Sequence, residues 1–316
     1  NPIIGLRGIM QELYDKMLPG ITARQEGYAR EVASRLADVA DVRFPRAARN
    51  REDIETIMRD FETSGVDGVM IVMLTYGPAL RLVNAFRGCS LPLLLANIQP
   101  QSSVTAAWDM GDLTYNQGIH GCQDAANTLM RLGRHYEIFS GDWHGSDFVE
   151  AVANFAAAAK AKADLSRARI AVFGQMPGMG DILTDAHAFM RRLGPQVDHL
   201  GMGELARAMD SASEAAIAKV VDYCHTNFEI DPRLSPAAVH EAARLQVAIK
   251  SVLDAGGYRS FTLYFNQIGF DGRFRQTHMM AASNLMADGY GYAAEGDSTC
   301  AALMVAAQVL LSLIHI

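Results

Sequence analysis

Short apolar runs alternate with amphipathic stretches from the first residues onward, and their spacing sets the expected fold. Residues 3–6 have the length of a buried strand, and 20–40 follow with Ile21, Tyr28, Val32 and Leu36 at helical spacing. A second strand is expected over 41–45, then a helix over 51–63 that stops at Ser64-Gly65. Residues 66–76 are rich in Val, Ile and Met, as in strands covered on both faces. A helix over 77–89, a strand over 91–97, a polar segment over 99–116, a helix over 121–132 and a strand over 136–139 continue the series. Such β-α alternation predicts a doubly wound parallel sheet, whose ligands sit beyond the carboxyl ends of the strands. Leu74-Thr75-Tyr76, Asn97-Ile98-Gln99 and Gly141-Asp142-Trp143-His144 should therefore line one rim.

An alanine-rich helix over 149–163 reads as a connector to a second series: strand 168–173, helix 182–193, strand 197–200, helices 212–224 and 236–255, strand 261–265 and helix 279–287. Gly256-Gly257 stops the long helix as a C-terminal glycine would. The expected fold class is α/β, with two Rossmann-like parallel-sheet domains over 1–166 and 167–288. Gly289-Tyr290-Gly291-Tyr292-Ala293-Ala294-Glu295-Gly296-Asp297 is expected as a glycine-rich turn that sets two carboxylates ahead of an apolar helix. Asp297 has a plainer reading as the cap of that helix.

The chain has 316 residues, half of them hydrophobic, enough for two or three domains with real cores. A net charge of -7 gives no electrostatic reason to expect nucleic acid, and no uninterrupted apolar stretch suits a bilayer. Cys89, Cys122, Cys224 and Cys300 form no CxxC pair, so reduced thiols in a cytoplasm are expected rather than a zinc site or disulfides. Residues 311–316, Leu-Ser-Leu-Ile-His-Ile, match the translation of a library adapter. On that reading the natural frame is expected to end near Leu310, with the protein's remainder missing.

Three further constellations carry chemistry. Gly174-Gln175-Met176-Pro177-Gly178-Met179-Gly180 resembles a phosphate loop, with Asp198 near the distance of a ribose-binding acid. Pro177 removes one N–H, however, and Asp181 would repel an anion from the helix start, which favours a tight turn against an uncharged ligand. Asn116, Gln117 and His120 in Tyr115-Asn116-Gln117-Gly118-Ile119-His120-Gly121 are suited to orienting hydroxyl groups, although a lone His can equally be structural. Asn266-Gln267-Ile268-Gly269-Phe270-Asp271-Gly272-Arg273 reads as a turn after a strand, from which Asp271 could converge with Glu295. No HExxH, HxxxH or GxSxG pattern occurs, which removes zinc hydrolases and serine esterases.

Taken together, Gln11-Glu12-Leu13-Tyr14-Asp15, Leu74-Thr75-Tyr76, Asn116 to Gly121, Pro177 to Asp181 and the Gly289 to Asp297 stretch resemble the L-arabinose isomerase and L-fucose isomerase superfamily, in its arabinose-isomerase-like branch. The resemblance covers residues 3–310. It implies interconversion of an aldose and a ketose, a pentose or deoxyhexose, through an enediol, with a divalent metal, usually manganese. Glu295 matches a family glutamate that binds the metal and moves the proton, and His120 one that reaches the sugar across a subunit contact, which implies a homo-oligomer. Gln11, Tyr76, Asn116 and Gln117 fall on the substrate-binding side of the same match. The family's first metal glutamate is expected just after strand 261–265, where Asn266 stands; Asp271 is the nearby acid to replace it. Later metal histidines would lie past residue 297, so residues 289–310 are expected to begin a truncated C-terminal catalytic domain and the fragment to be inactive. The competing expectation is a non-catalytic sugar-binding protein on the same scaffold.

Overall fold

The computed structural model describes residues 1–311, so the expected adapter-derived tail lies outside the described residues except for Leu311. Two compact units divide the chain, 1–160 and 161–316, with the boundary inside the helix Ser146–Arg167.

The first unit holds β1 (Ile3–Ile9), β2 (Asp41–Arg43), β3 (Gly68–Met73), β4 (Leu93–Asn97) and β5 (Glu137–Ser140). They form one parallel sheet in the order β2-β1-β3-β4-β5. The order reverses between β1 and β3, the switch point at which doubly wound sheets open a crevice. All six residues of β3 are buried because helices cover both faces of the sheet, which explains its unbroken apolar sequence. Ile21, Tyr28, Ala29, Val32, Phe148 and Val152 pack one face. Ile54, Ile57, Phe61, Phe86, Ala125 and Leu129 pack the other.

The second unit holds β6 (Arg169–Phe173), β7 (Gln196–His199), β8 (Ser260–Leu263) and β9 (Gly291–Ala294), parallel in the order β7-β6-β8-β9. Leu205, Ala248, Ile249 and Leu285 cover one face; Phe189, Ala301, Ala302 and Val305 cover the other. Here the structure corrects the expected turn over 289–297. Its middle is β9, paired in register with β8 from Ser260↔Gly291 to Leu263↔Ala294. Gly291 serves packing rather than turning, since a Cβ there would lie 2.7 Å from both Ala301 O and Ser260 Cβ. Residues 289–310 thus add a strand and the helix Ser298–Leu311 to the second sheet.

Helices Leu13–Met17, Met110–Tyr115, Met202–Asp210 and Phe265–Phe270 were not expected. The last replaces a predicted turn, and with Ile268 as its single buried residue it leaves no readable periodicity. The expected helix over 77–89 is broken into a 3-10 turn, Ala79–Leu82, and Val83–Arg87. Among the described residues no helix is long and apolar enough to cross a membrane.

Candidate functional site

In the second unit the chain leaves β6, β8 and β9 at the same end of the sheet, as parallel strands require. Glu295 is the first residue past β9 and, at φ +65°, the one non-glycine residue among those described with positive φ. An L-residue in this conformation costs roughly 1–2 kcal/mol, and persists where the surroundings over-determine it. Three hydrogen bonds to two flanking segments, β8 and the loop after β6, do so. Glu295 N donates to Leu263 O at 3.3 Å, Met176 N donates to Glu295 O at 2.8 Å, and Gly296 N donates to Thr262 Oγ1 at 2.9 Å. Thr262 Oγ1 in turn donates to Ala294 O at 3.2 Å, so this buried hydroxyl is paired both as donor and as acceptor. Gly296 is a required glycine, at φ +96° with a Cβ position 2.5 Å from Gln175 Cα.

The half-buried Glu295 carboxylate itself makes no hydrogen bond or ion pair with a described residue. Its backbone is fixed while its side chain is left open. Asp297, by contrast, accepts Cys300 N–H at 2.9 Å and caps the following helix. Three residues before Glu295, Tyr292 on β9 approaches His278, with Oη 2.7 Å from Nε2. Burial first, and the Glu295 charge second, push the Tyr292 phenol up to about 12. Burial pushes His278 down to about 4, leaving a neutral imidazole.

Asp271 is engaged elsewhere. Arg273 binds its carboxylate at 2.8 Å through Nε and 2.5 Å through Nη2, holding Asp271 down at about 2. Asn266 donates through Nδ2 to Tyr264 Oη at 2.8 Å. Neither is joined to Glu295 by a hydrogen bond. A hard divalent ion takes six or more oxygen ligands, and among the described residues no three His, Cys, Asp or Glu side chains gather to hold one. The residues described here therefore do not by themselves fit the implied metal.

The glycine-rich loop after β6 is a turn against Glu295. Gln175 Nε2 donates to Ile182 O at 2.8 Å, and the Met176 N–H that an anion would need is taken by Glu295. Asp198 is bound by Arg169 Nη2 at 2.6 Å and Gln196 Nε2 at 2.8 Å, which removes it as a ribose acceptor.

A separate polar cluster lies in the first unit beyond β1 and β3. The helix Gly118–Arg131 crosses the end of β3 so closely that a Cβ at Gly118 would collide with Met73 O, and one at Gly121 would lie 2.6 Å from Met73 Cε. This contact explains both glycines. It also carries Gln117 to Tyr14, whose hydroxyl accepts from Gln117 Nε2 at 3.0 Å. Burial foremost raises the Tyr14 phenol, Gln117 opposes the shift, and Tyr76 adds to it. Gln11 N donates to Thr75 Oγ1 at 3.3 Å, which ties the β1 end to Tyr76. His120 is exposed on the first turn of the crossing helix. Asn116 does different work: it accepts Gln101 N–H at 2.8 Å and donates to Gln101 O at 3.0 Å, pinning the loop after β4.

The sequence assigns no role to Tyr14, Tyr292 or His278, which the structure joins to Gln117 or to one another. The first two stand inside the motif stretches, three residues from Gln11 and from Glu295; His278 is a lone histidine ahead of a helix and gives no signal of its own.

Residues 8–167 match the family model for the L-arabinose isomerase N-terminal domain, and residues 183–312 that for the L-arabinose isomerase central domain. The L-arabinose isomerase of Clostridium beijerinckii is 27% identical over 92% of this chain and 63% of its own length. That of Acidothermus cellulolyticus is 31% identical over 79% of this chain and 51% of its own. That of Klebsiella pneumoniae is 27% identical over 75% and 48%. The chain thus spans between about half and 63% of the length of these curated relatives. Among solved structures, a periplasmic solute binding protein of Actinobacillus succinogenes with bound D-allose aligns at 11% identity over 99% of this chain and 92% of its own. Its TM-score of 0.25 is too low to bear on fold or ligand.

Proposed function

The chain belongs to the L-arabinose isomerase family, and on that footing we propose that it is part of an aldose–ketose isomerase acting on a pentose or deoxyhexose, with Glu295 as the proton-transferring group. The observation that carries this reading is the pairing of a strained, triply anchored backbone with an unengaged carboxylate at Glu295. Strain of this kind collects at functional positions, and a capping or surface glutamate would need neither the conformation nor the anchors.

The chemistry assigned to Glu295 is a 1,2-proton shift. Its carboxylate takes the proton from C2 of the open-chain aldose, the C–H electron pair becomes the C1=C2 bond, and the carbonyl oxygen O1 gains a proton to give the enediol. Loss of the O2 proton and return of the carbon-bound proton to C1 give the ketose. A well-placed general base contributes on the order of a hundred- to ten-thousand-fold in rate.

Gln11, Tyr14, Tyr76, Gln117 and His120 are assigned to sugar hydroxyls, since amide, phenol and imidazole groups provide both donors and acceptors for a polyol. Asp271 is left to its Arg273 pair and Asn116 to its loop. A homo-oligomer in the cytoplasm completes the proposal, on the strength of family membership. The test is ketose formation from L-arabinose by the complete protein and by Glu295→Gln. Turnover should fall at least a hundredfold with the melting temperature unchanged; retained turnover would refute the role of Glu295, and sugar binding without turnover in the parent would favour a binding protein.

A further inference from the structure

His278 is fully buried, at 0% exposure, in a position where an aliphatic side chain would pack without a polar cost. It immediately precedes the helix Met279–Ala287, which is followed by β9. That helix runs back against the strand direction, so its first residue lies at the carboxyl ends of the strands, where Glu295 also lies. The rings of His278 and Tyr292 meet edge to face at 5.6 Å, and His278 Nε2 and Tyr292 Oη are 2.7 Å apart. The other ring nitrogen, Nδ1, is buried with no partner.

A neutral imidazole carries one proton, and its place decides what Tyr292 can do. On Nδ1 it would leave a buried N–H donor unpaired, at the full desolvation cost of that group. On Nε2 it leaves a bare lone pair at Nδ1 and an O–H on the half-buried Tyr292 that is free to reach an outside acceptor, while Nε2 donates to Tyr292 Oη. Tyr292 then keeps its own O–H, and no described group accepts it. The charge that this phenol senses is Glu295.

We propose that Tyr292 is a ligand-binding residue, donating its phenolic O–H to a hydroxyl or carbonyl oxygen of a polyol held beside Glu295, and that His278 is its positioning residue, acting through the Nε2–H to Oη hydrogen bond. The inference rests on the role proposed for Glu295. It adds a donor that does not depend on the acidic residues of the site.

Two measurements test it. Long-range proton–nitrogen spectra of the 15N-histidine-labelled chain at pH 7 should contain a neutral Nε2–H pattern that disappears in His278→Leu; an Nδ1–H pattern for that residue would overturn the inference. In the complete protein turning over L-arabinose, Tyr292→Phe should raise KM about 3- to 10-fold, the range for one neutral hydrogen bond, with a smaller effect on kcat. His278→Leu should do the same, and His278→Gln, which keeps an N–H donor, should restore KM. Unchanged KM in Tyr292→Phe, while Glu295→Gln abolishes turnover, would sink this inference and leave the proposed function standing. Turnover surviving in Glu295→Gln would instead sink the proposed function, whatever Tyr292→Phe does.

Discussion

Met176 donates its backbone N–H to the carbonyl of Glu295 at 2.8 Å, so the loop leaving β6 holds the residue leaving β9 in its left-handed conformation. The proline that follows at position 177 interrupts the phosphate-loop pattern without disturbing this bond. A motif that suggested anion binding thus serves as a brace.

Relief of backbone strain should be measurable at Glu295. Glu295→Gly should leave the melting temperature equal or higher, since glycine adopts positive φ freely, whereas Glu295→Val should lose about 1–2 kcal/mol because β-branched residues resist that region. Thermal denaturation of the three proteins decides it. A valine variant as stable as the parent would show that the position is not strained.

Two glycines should respond oppositely to alanine. Gly118→Ala would drive a methyl group into Met73 O and should cost about 1–3 kcal/mol, while shifting Gln117 away from Tyr14. Gly27, inside the helix Ile21–Arg35, has nothing within 4 Å of its Cβ position. Gly27→Ala should therefore gain about 0.5–1 kcal/mol from helix propensity. Urea unfolding of both variants checks the pair.

Acid sensitivity should trace in part to His278. Its folded pKa, about 4, lies below the ordinary 6.5, so between these values the unfolded chain binds a proton that the folded chain refuses. Stability is therefore lost as pH falls through that window. Between pH 7 and 4.5 the parent should lose about 2 kcal/mol more than His278→Leu, at 1.36 kcal/mol per pH unit. Parallel losses in urea melts at the two pH values would contradict the assignment.

Removing the Tyr14 hydroxyl should weaken sugar binding through Gln117. Tyr14→Phe takes away the acceptor for Gln117 Nε2, which should cost about 0.5–1.5 kcal/mol and appear as a higher KM in the complete protein. Asn116→Ala should instead leave KM near the parent value and increase proteolysis in the loop after β4, because its bonds go to Gln101.

The sequence by itself determined the parallel α/β class, the strands of both series apart from β9, and the helices Arg51–Thr63 and Met279–Ala287. Apolar periodicity and capping residues are local signals, and they suffice for those elements. Tertiary structure decided the rest. Gly291 looked like a turn glycine until Ala301 and Ser260 closed on it, which turned a loop into an edge strand. Asp271 looked available until Arg273 took its carboxylate, and only the packed chain shows that the Asn116 amide binds the Gln101 backbone through its oxygen and its nitrogen. His278 and Tyr292 are 14 residues apart, and no local pattern signals that a helix start and a strand will meet. Side-chain partnership is set by which elements share a sheet end, and that is a property of the packed chain, not of any segment of it.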